Sequence, residues 1–377
     1  MLFENEQTAQ AKPEMLVLVR ESRGMTQAEV AEKMAKLPST ASGGTVSQGY
    51  VSRAEKGRLA VTGVRLELYA QALECLPALL HLDPQVADMG IGLVHHRKKA
   101  ALSAPALRRI HAQLALTRLH VQSLLNVTGA REAQFPTIEV DDANPPYEAA
   151  AVVRDAWGLP KGPVRNLVGW IERAGGIVLL RDLDSDHLDA VSQWPAGRGP
   201  LLLVNSRAPG DRLRFSIAHE LGHVTMHRVP GETGQQEREA DEFAAAFLMP
   251  SSDIREQFAD GVDLVRLETL KVRWGVSMAA LLRRAHSLGA ITDWQYRNVT
   301  IEMSALGYRS VEPGEVAREQ PSAVHAAVEL AEREKLASGE DLAQLMYLHP
   351  EDLRRDYRMT PGQIDQDQTT LNTEVRP

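Results

Sequence analysis

Residues 211–223 read Asp211-Arg-Leu-Arg-Phe-Ser-Ile-Ala-His-Glu-Leu-Gly-His223, and the reading of the chain turns on this stretch. Its apolar residues recur at helical spacing and predict a helix over 211–227, with Asp211 as N-cap. His219 and His223 stand at i and i+4, one turn apart on one face. Two imidazoles so placed can reach a single ion at about 2.0–2.1 Å. Glu220 lies between them and can take a proton from a water that the ion acidifies. The bland alternative is two histidines on a purely structural helix, and the strongly helical context weighs against it.

Such a centre needs a third protein ligand and an open fourth position. His227 continues the i+4 series but lies about 12 Å along the helix from His219, too far to share one ion. It reads as a charge or donor at the helix C-terminus. A second helix is predicted over 235–248, stopped by Pro250 and folded back through Pro230-Gly231. Its segment Glu237-Arg-Glu-Ala-Asp-Glu-Phe-Ala244 offers Glu237 and Glu239. Glu237 is preferred, because Asp241 then falls one turn along the same face and can accept a hydrogen bond from a ligand histidine. Glu239 points to a different face of this helix and remains the alternative.

The 377 residues suggest two or three domains. A single cysteine, Cys75, excludes an intramolecular disulfide and any Cys-based zinc knuckle; among Leu73, Leu76 and Leu79 it reads as a small core residue. The net charge of -8 argues against a chain coated throughout by nucleic acid. From His95 to Arg131, however, there are seven Lys or Arg and no Asp or Glu, which suits either an anionic partner or a solvated helix face. No apolar run approaches the ~18 residues of a membrane span. The start, MLFENEQTAQ, does not read as a signal peptide, so a cytoplasmic protein without membrane contact is expected.

Residues 1–83 read as short helices. Thr26-Gln-Ala-Glu29 is a capping box, Leu37–Gly44 is a loop rich in breakers, and helices follow from near Ser47 to Gly57 and from about Thr62 to Leu76. Residues 84–146 read as a connector, helical over 96–129 from a Ser103/Pro105 start, then a linker over Phe135–Pro146. Over 147–310 the pattern predicts helices near 147–157 and 163–174. Three short strands follow, Ile177–Leu180, Leu188–Ser192 and Leu201–Val204, expected to form a small antiparallel sheet. Helices resume over 262–310, including Ser277–His286 with Ser277 as N-cap. That helix is read as core packing rather than as a second DNA-binding element. Residues 311–360 are helical without a chemical signal, and 361–377 form a polar, disordered tail.

The stretch Asn205-Ser-Arg-Ala-Pro-Gly-Asp-Arg-Leu-Arg-Phe-Ser-Ile-Ala-His-Glu-Leu-Gly-His223, followed by Glu237-Arg-Glu-Ala-Asp-Glu-Phe-Ala-Ala-Ala-Phe-Leu-Met-Pro250, resembles the ImmA/IrrE family of zinc peptidases. That family shows R-x-R-F-x-x-A-H-E-x-G-H and then E-x-x-A-N-x-F-A-x-x-L-L-M-P. The resemblance covers about residues 147–310. It implies an α+β zincin-like domain, a zinc ion held by His219, His223 and Glu237, and Glu220 as general base. Asp241 stands where the family has Asn and keeps a hydrogen-bond acceptor there. The implied activity is site-specific cleavage of a transcriptional repressor in a stress or mobile-element response.

Leu18-Val-Arg-Glu-Ser-Arg-Gly-Met-Thr-Gln-Ala-Glu-Val-Ala31 and Val46-Ser-Gln-Gly-Tyr-Val-Ser-Arg-Ala-Glu-Lys-Gly57 resemble the Xre-type helix-turn-helix of phage repressors. The resemblance implies an all-α domain in which Gln27, Gln48, Tyr50 and Arg53 face DNA while Lys56 and Arg58 meet phosphates. It departs from the family in the long loop Lys36–Thr45. Residues 1–83 carry nine Lys/Arg against ten Asp/Glu, a poor balance for DNA, although residues 45–65 carry four against one. A helix-turn-helix kept for dimerisation or repressor recognition is therefore weighed beside DNA binding.

The expected whole is a multidomain, cytoplasmic, DNA-binding zinc metallopeptidase, expected as a homodimer, whose substrate is a repressor or antitoxin-like protein. The rivals are a zinc-responsive transcriptional regulator and a toxin–antitoxin or phage-defence component, each with little proteolysis.

Overall fold

The computed structural model describes residues 10–37, 46–83, 93–96, 103–185, 188–194, 198–227 and 234–358. The loop expected from Lys36 to Thr45 lies mostly outside them, as do Pro230-Gly231 and the tail from Pro361. The chain divides into two units: residues 1–92, 101–130 and 323–377 form one, and residues 93–100 and 131–322 the other.

The first unit begins with helices Pro13–Ser22, Gln27–Lys36, Gln48–Glu55, Gly63–Leu73 and Pro77–His81. The capping box forms as the sequence predicts: Thr26 Oγ1 accepts from the Glu29 amide at 3.2 Å, and Glu29 Oε2 accepts from the Thr26 amide at 2.7 Å. Ser47 caps the third helix. Glu74 adopts the left-handed conformation and ends the fourth helix before the expected Leu76. Met15, Leu16, Val30, Met34, Val51, Tyr69 and Leu73 make its core, and Cys75 is buried beside them, its thiol pushed up to about 12 by burial.

Residues 104–128 form one continuous helix, capped by Ser103. It is not a connector. Leu116 and Leu119 enter the same core, Arg118 is buried, and Arg108 pairs with Glu21 at 3.3 Å. The region expected as one C-terminal piece is divided. Helices Ala323–Arg333, Gly339–Leu345 and Pro350–Leu353 belong to the first unit, whereas residues 311–322 belong to the second.

The second unit is built on a four-stranded sheet of β1 (Leu93–His96), β2 (Ile177–Arg181), β3 (Ala190–Trp194) and β4 (Leu201–Asn205), in the order β1-β3-β4-β2. The expectation of an antiparallel sheet is corrected: β2 pairs with β4 in parallel, β3 with β4 antiparallel. Chain direction alternates through short turns, so β2 and β4 run the same way. With β4 seated between β3 and β2, the two like-directed strands become neighbours. Residues 93–96 are a strand and not the approach to a helix.

The HExxH helix, Gly210–Met226, packs on β3 and β4 on one side and on helices Pro146–Ala156 and Gly234–Leu248 on the other, so nearly all its residues are buried. Asp211 is not its N-cap. Pro209 holds that position, and buried Asp211 instead meets Lys271 Nζ at 2.8 Å. The segment read as a linker also belongs to this unit. Phe135, Ile138 and Val140 pack on its core, and the Ile138 amide donates to the Thr225 carbonyl at 2.9 Å. The apolar residues between its prolines decide its placement, rather than its turn-forming composition.

Residues 311–322 run as an extended strap that caps helix starts. Glu312 accepts from the amides of Met278 and Ala279 at 2.7 and 3.1 Å and from Lys271 Nζ at 3.0 Å. Glu319 accepts from the Val168 amide and pairs with buried Arg214. Carboxylates at helix N-termini satisfy donors that have no partner within the helix. No helix among the described residues is long and apolar enough to cross a membrane.

Candidate metal centre

His219 and His223 project from the middle of the HExxH helix, and Glu237 reaches them from the first turn of helix Gly234–Leu248. Among the described residues, these three form the one His/Cys/Asp/Glu group close enough to hold an ion. The two Nε2 atoms are 3.1 Å apart. The Glu237 carboxylate oxygens lie 3.4 Å from His219 Nε2 and 3.3 Å from His223 Nε2. Tetrahedral ligands at about 2.0–2.1 Å from zinc are themselves about 3.3 Å apart, so the spacing fits such an ion. Both histidines are buried, and Glu237 is partly exposed.

The helices approach closely enough for this because of Gly222. A Cβ there would meet Phe243 Cδ1 at 3.1 Å, tighter than ordinary packing allows. Phe243 stacks on Phe247 with ring centroids 5.7 Å apart and anchors the partner helix in the core.

Asp241 falls where the helical spacing places it: its Oδ1 lies 2.9 Å from His219 Nδ1. Glu239 and His227 take roles that the sequence did not show. His227 Nδ1 is 2.9 Å from His223 Nδ1, and His227 Nε2 is 2.9 Å from Glu239 Oε2. Glu239 is thus not the third member of the cluster. His227 is more than a donor at the helix end, since it joins Glu239 to His223. Each histidine of the cluster therefore has a carboxylate behind it, directly for His219 and through a second imidazole for His223.

Glu220 is fully buried, and its Oε2 accepts from Ser192 Oγ on β3 at 2.5 Å. Ser192 was missed by sequence reasoning, because a serine in a short apolar strand carries no motif. Burial pushes the His223 imidazole down to about 4, against a smaller upward pull from Glu237, which keeps it neutral and able to offer a lone pair at neutral pH. Burial alone raises the Glu237 carboxyl, but hydrogen bonds and charge from His219 and His223 outweigh it and hold the group well below the usual carboxylate range.

In the first unit Gln48, Arg53, Lys56 and Arg58 are exposed. Gln48 Nε2 donates to Gln27 Oε1 at 2.8 Å, and Gln27 Nε2 donates to Glu55 at 2.9 Å. Tyr50 is partly buried. Its ring lies 6.5 Å from that of Tyr69 and under the Arg65 guanidinium at 5.2 Å.

Residues 171–286 match the model of the Peptidase_M78 family, described as the IrrE N-terminal-like domain. The match runs from before β2 to the end of helix Met278–Ser287 and includes every residue of the cluster. No curated protein matches the chain. Residues 171–286 are thus similar to a peptidase family and contain a His-His-Glu group that can bind a metal.

Proposed function

We propose that the chain is a zinc-dependent peptidase that cleaves a transcriptional repressor or a similar regulatory protein and is tethered to a DNA-binding helix-turn-helix. The observation that carries the reading is the convergence of His219, His223 and Glu237 at tetrahedral ligand spacing, with Glu220 next to His219 on the same helix. These donors, two imidazoles and one carboxylate, make the three-ligand set that suits zinc in a catalytic rather than a structural role. When bound, zinc supplies a Lewis acid that polarises the scissile carbonyl and acidifies an attacking water.

The chain's own residues do the rest. Ser192 holds Glu220 by its Oε2, which fixes the carboxylate where it takes the proton of the attacking water and returns it to the leaving amine. Asp241 and the His227–Glu239 pair hold the two imidazoles with their Nδ1 protons pointing outward, which leaves both Nε2 lone pairs for the ion. The apolar core around the helix keeps bulk water from Glu220.

Elemental analysis is the test. About one zinc per chain is expected, lost in His219→Ala and retained in Glu220→Gln; a chain that takes up no zinc, or a His219→Ala variant that keeps it, overturns the assignment. Exposed Gln48, Arg53, Lys56 and Arg58 support the DNA-binding part of the reading. A promoter fragment of its own gene bound equally by wild type and Arg53→Ala contradicts that part.

A further inference from the structure

β1 is an outsider in its sheet. Strands β2, β3 and β4 come from one run of chain, 177–205, while β1 is four residues long and comes from a segment whose neighbours on both sides belong to the other unit. It covers the edge of β3 that would otherwise be open, antiparallel, with Leu93 opposite Trp194, Val94 opposite Gln193, His95 opposite Ser192 and His96 opposite Val191. It also lies against the HExxH helix. Ser192, opposite His95, is the residue whose hydroxyl holds Glu220. An extended main chain from outside the contiguous domain thus runs past the proton-accepting carboxylate. Such added strands are one of the standard ways in which a sheet edge binds a peptide: main-chain hydrogen bonds hold it, and almost any extended sequence can take the place.

We propose that the outer edge of β3 is a docking strand for an extended peptide and that Leu93–His96 occupies it as a tethered competitor. Docking is independent of the peptidase reading, and only cleavage of the docked peptide rests on it. A substrate strand must displace β1 to reach Glu220, and the chain holds its own site closed until one does.

The test uses the full-length zinc-loaded chain, in Glu220→Gln form to prevent turnover, with and without Val94→Pro. Proline at 94 removes an amide donor and disfavours strand pairing. Hydrogen exchange reads the pairing directly. Those amides of residues 190–194 that face β1 exchange faster in Val94→Pro, while those that face β4 do not change. The peptide probe is a fluorescently labelled synthetic copy of residues 90–99, followed by anisotropy. It binds the Val94→Pro form at least about tenfold more tightly, because a tethered competitor acts at millimolar effective concentration. Val94→Thr, which keeps strand propensity, behaves as the parent. Unchanged exchange at 190–194 overturns the proposal, as does equal binding, or no binding, in the two forms. If the peptide docks on Val94→Pro but no zinc-dependent cleavage occurs with Glu220 restored, docking stands and the peptidase reading fails.

Discussion

The carboxylates behind the two histidines should differ in their importance for metal binding, and removing Glu239 should matter more than removing Asp241. With zinc on both Nε2 atoms, the proton on His223 Nδ1 is donated to His227 Nδ1, and the proton on His227 Nε2 to Glu239. The His227 and Glu239 side chains are 5% and 17% exposed, so Glu239→Ala leaves a buried N–H without a partner. Such a donor costs about 1–3 kcal/mol, which corresponds to roughly 5- to 150-fold weaker zinc binding at about 1.4 kcal/mol per decade. Asp241 is 34% exposed, so water can take its place at His219, and Asp241→Ala should stay at or below about tenfold, the lower end for losses of this kind. Glu239→Gln keeps an acceptor and should recover most of the loss. Competition with a chromogenic zinc chelator measures all three variants. Cobalt substitution adds a spectrum sensitive to the ligand field but not to fold stability. If Glu239→Ala binds zinc within twofold of wild type, or Asp241→Ala is the weaker binder, the relay through His227 does not hold the site.

Three further outcomes rest on the same geometry. Ser192→Ala should lower peptide turnover about tenfold, a fraction of the roughly 10²–10⁴-fold that a positioned general base supplies, while leaving zinc affinity unchanged; a parallel loss of zinc would place Ser192 in the fold rather than behind Glu220. Gly222→Val should push Phe243 away and cost about 1–3 kcal/mol of stability as an overpacked contact, with weaker zinc binding because Glu237 shares that helix; unaltered urea midpoints would contradict this. The metal-free chain should lose stability as pH falls. The unfolded His223 takes a proton near 6.5 and the folded one only near 4, so up to about 3 kcal/mol disappears between those values, and ionised Glu237 adds a loss of the same sign below its ordinary 4.5. Denaturation of His223→Asn across this range should give a flatter profile, and parallel profiles would refute the assignment.

The capping box at Thr26, the helix starts near Ser47 and Ser103, the cap at Ser277, and the one-turn spacings of His219 with His223 and of Glu237 with Asp241 each depend on residues within a turn of each other. These patterns reappear in the structure, whereas Pro209 rather than Asp211 starts the HExxH helix. What was not legible depends on distant partners. Ser192 matters because β3 crosses beside Glu220, and nothing in Ala190–Trp194 announces it. His227 lies outside the three-residue cluster, and its link to Glu239 needs the fold-back of the next helix. The parallel pairing of β2 with β4 follows from strand order, which short apolar runs do not encode. The Pro- and Asn-rich stretch 135–146 reads as a linker by composition, yet Phe135, Ile138 and Val140 tie it to the core. Glu312 and Glu319 carry no signal in sequence and accept from helix-start amides in the fold.

The most direct test of the account is cleavage by the zinc-loaded chain of the proteins encoded beside its gene, compared with Glu220→Gln at equal zinc content. The account predicts a defined cut in one of them by wild type, abolished by a chelator and absent in Glu220→Gln although that variant keeps its metal. Cleavage at the wild-type rate by Glu220→Gln, or no zinc-dependent cut of any such protein by wild type, would contradict it.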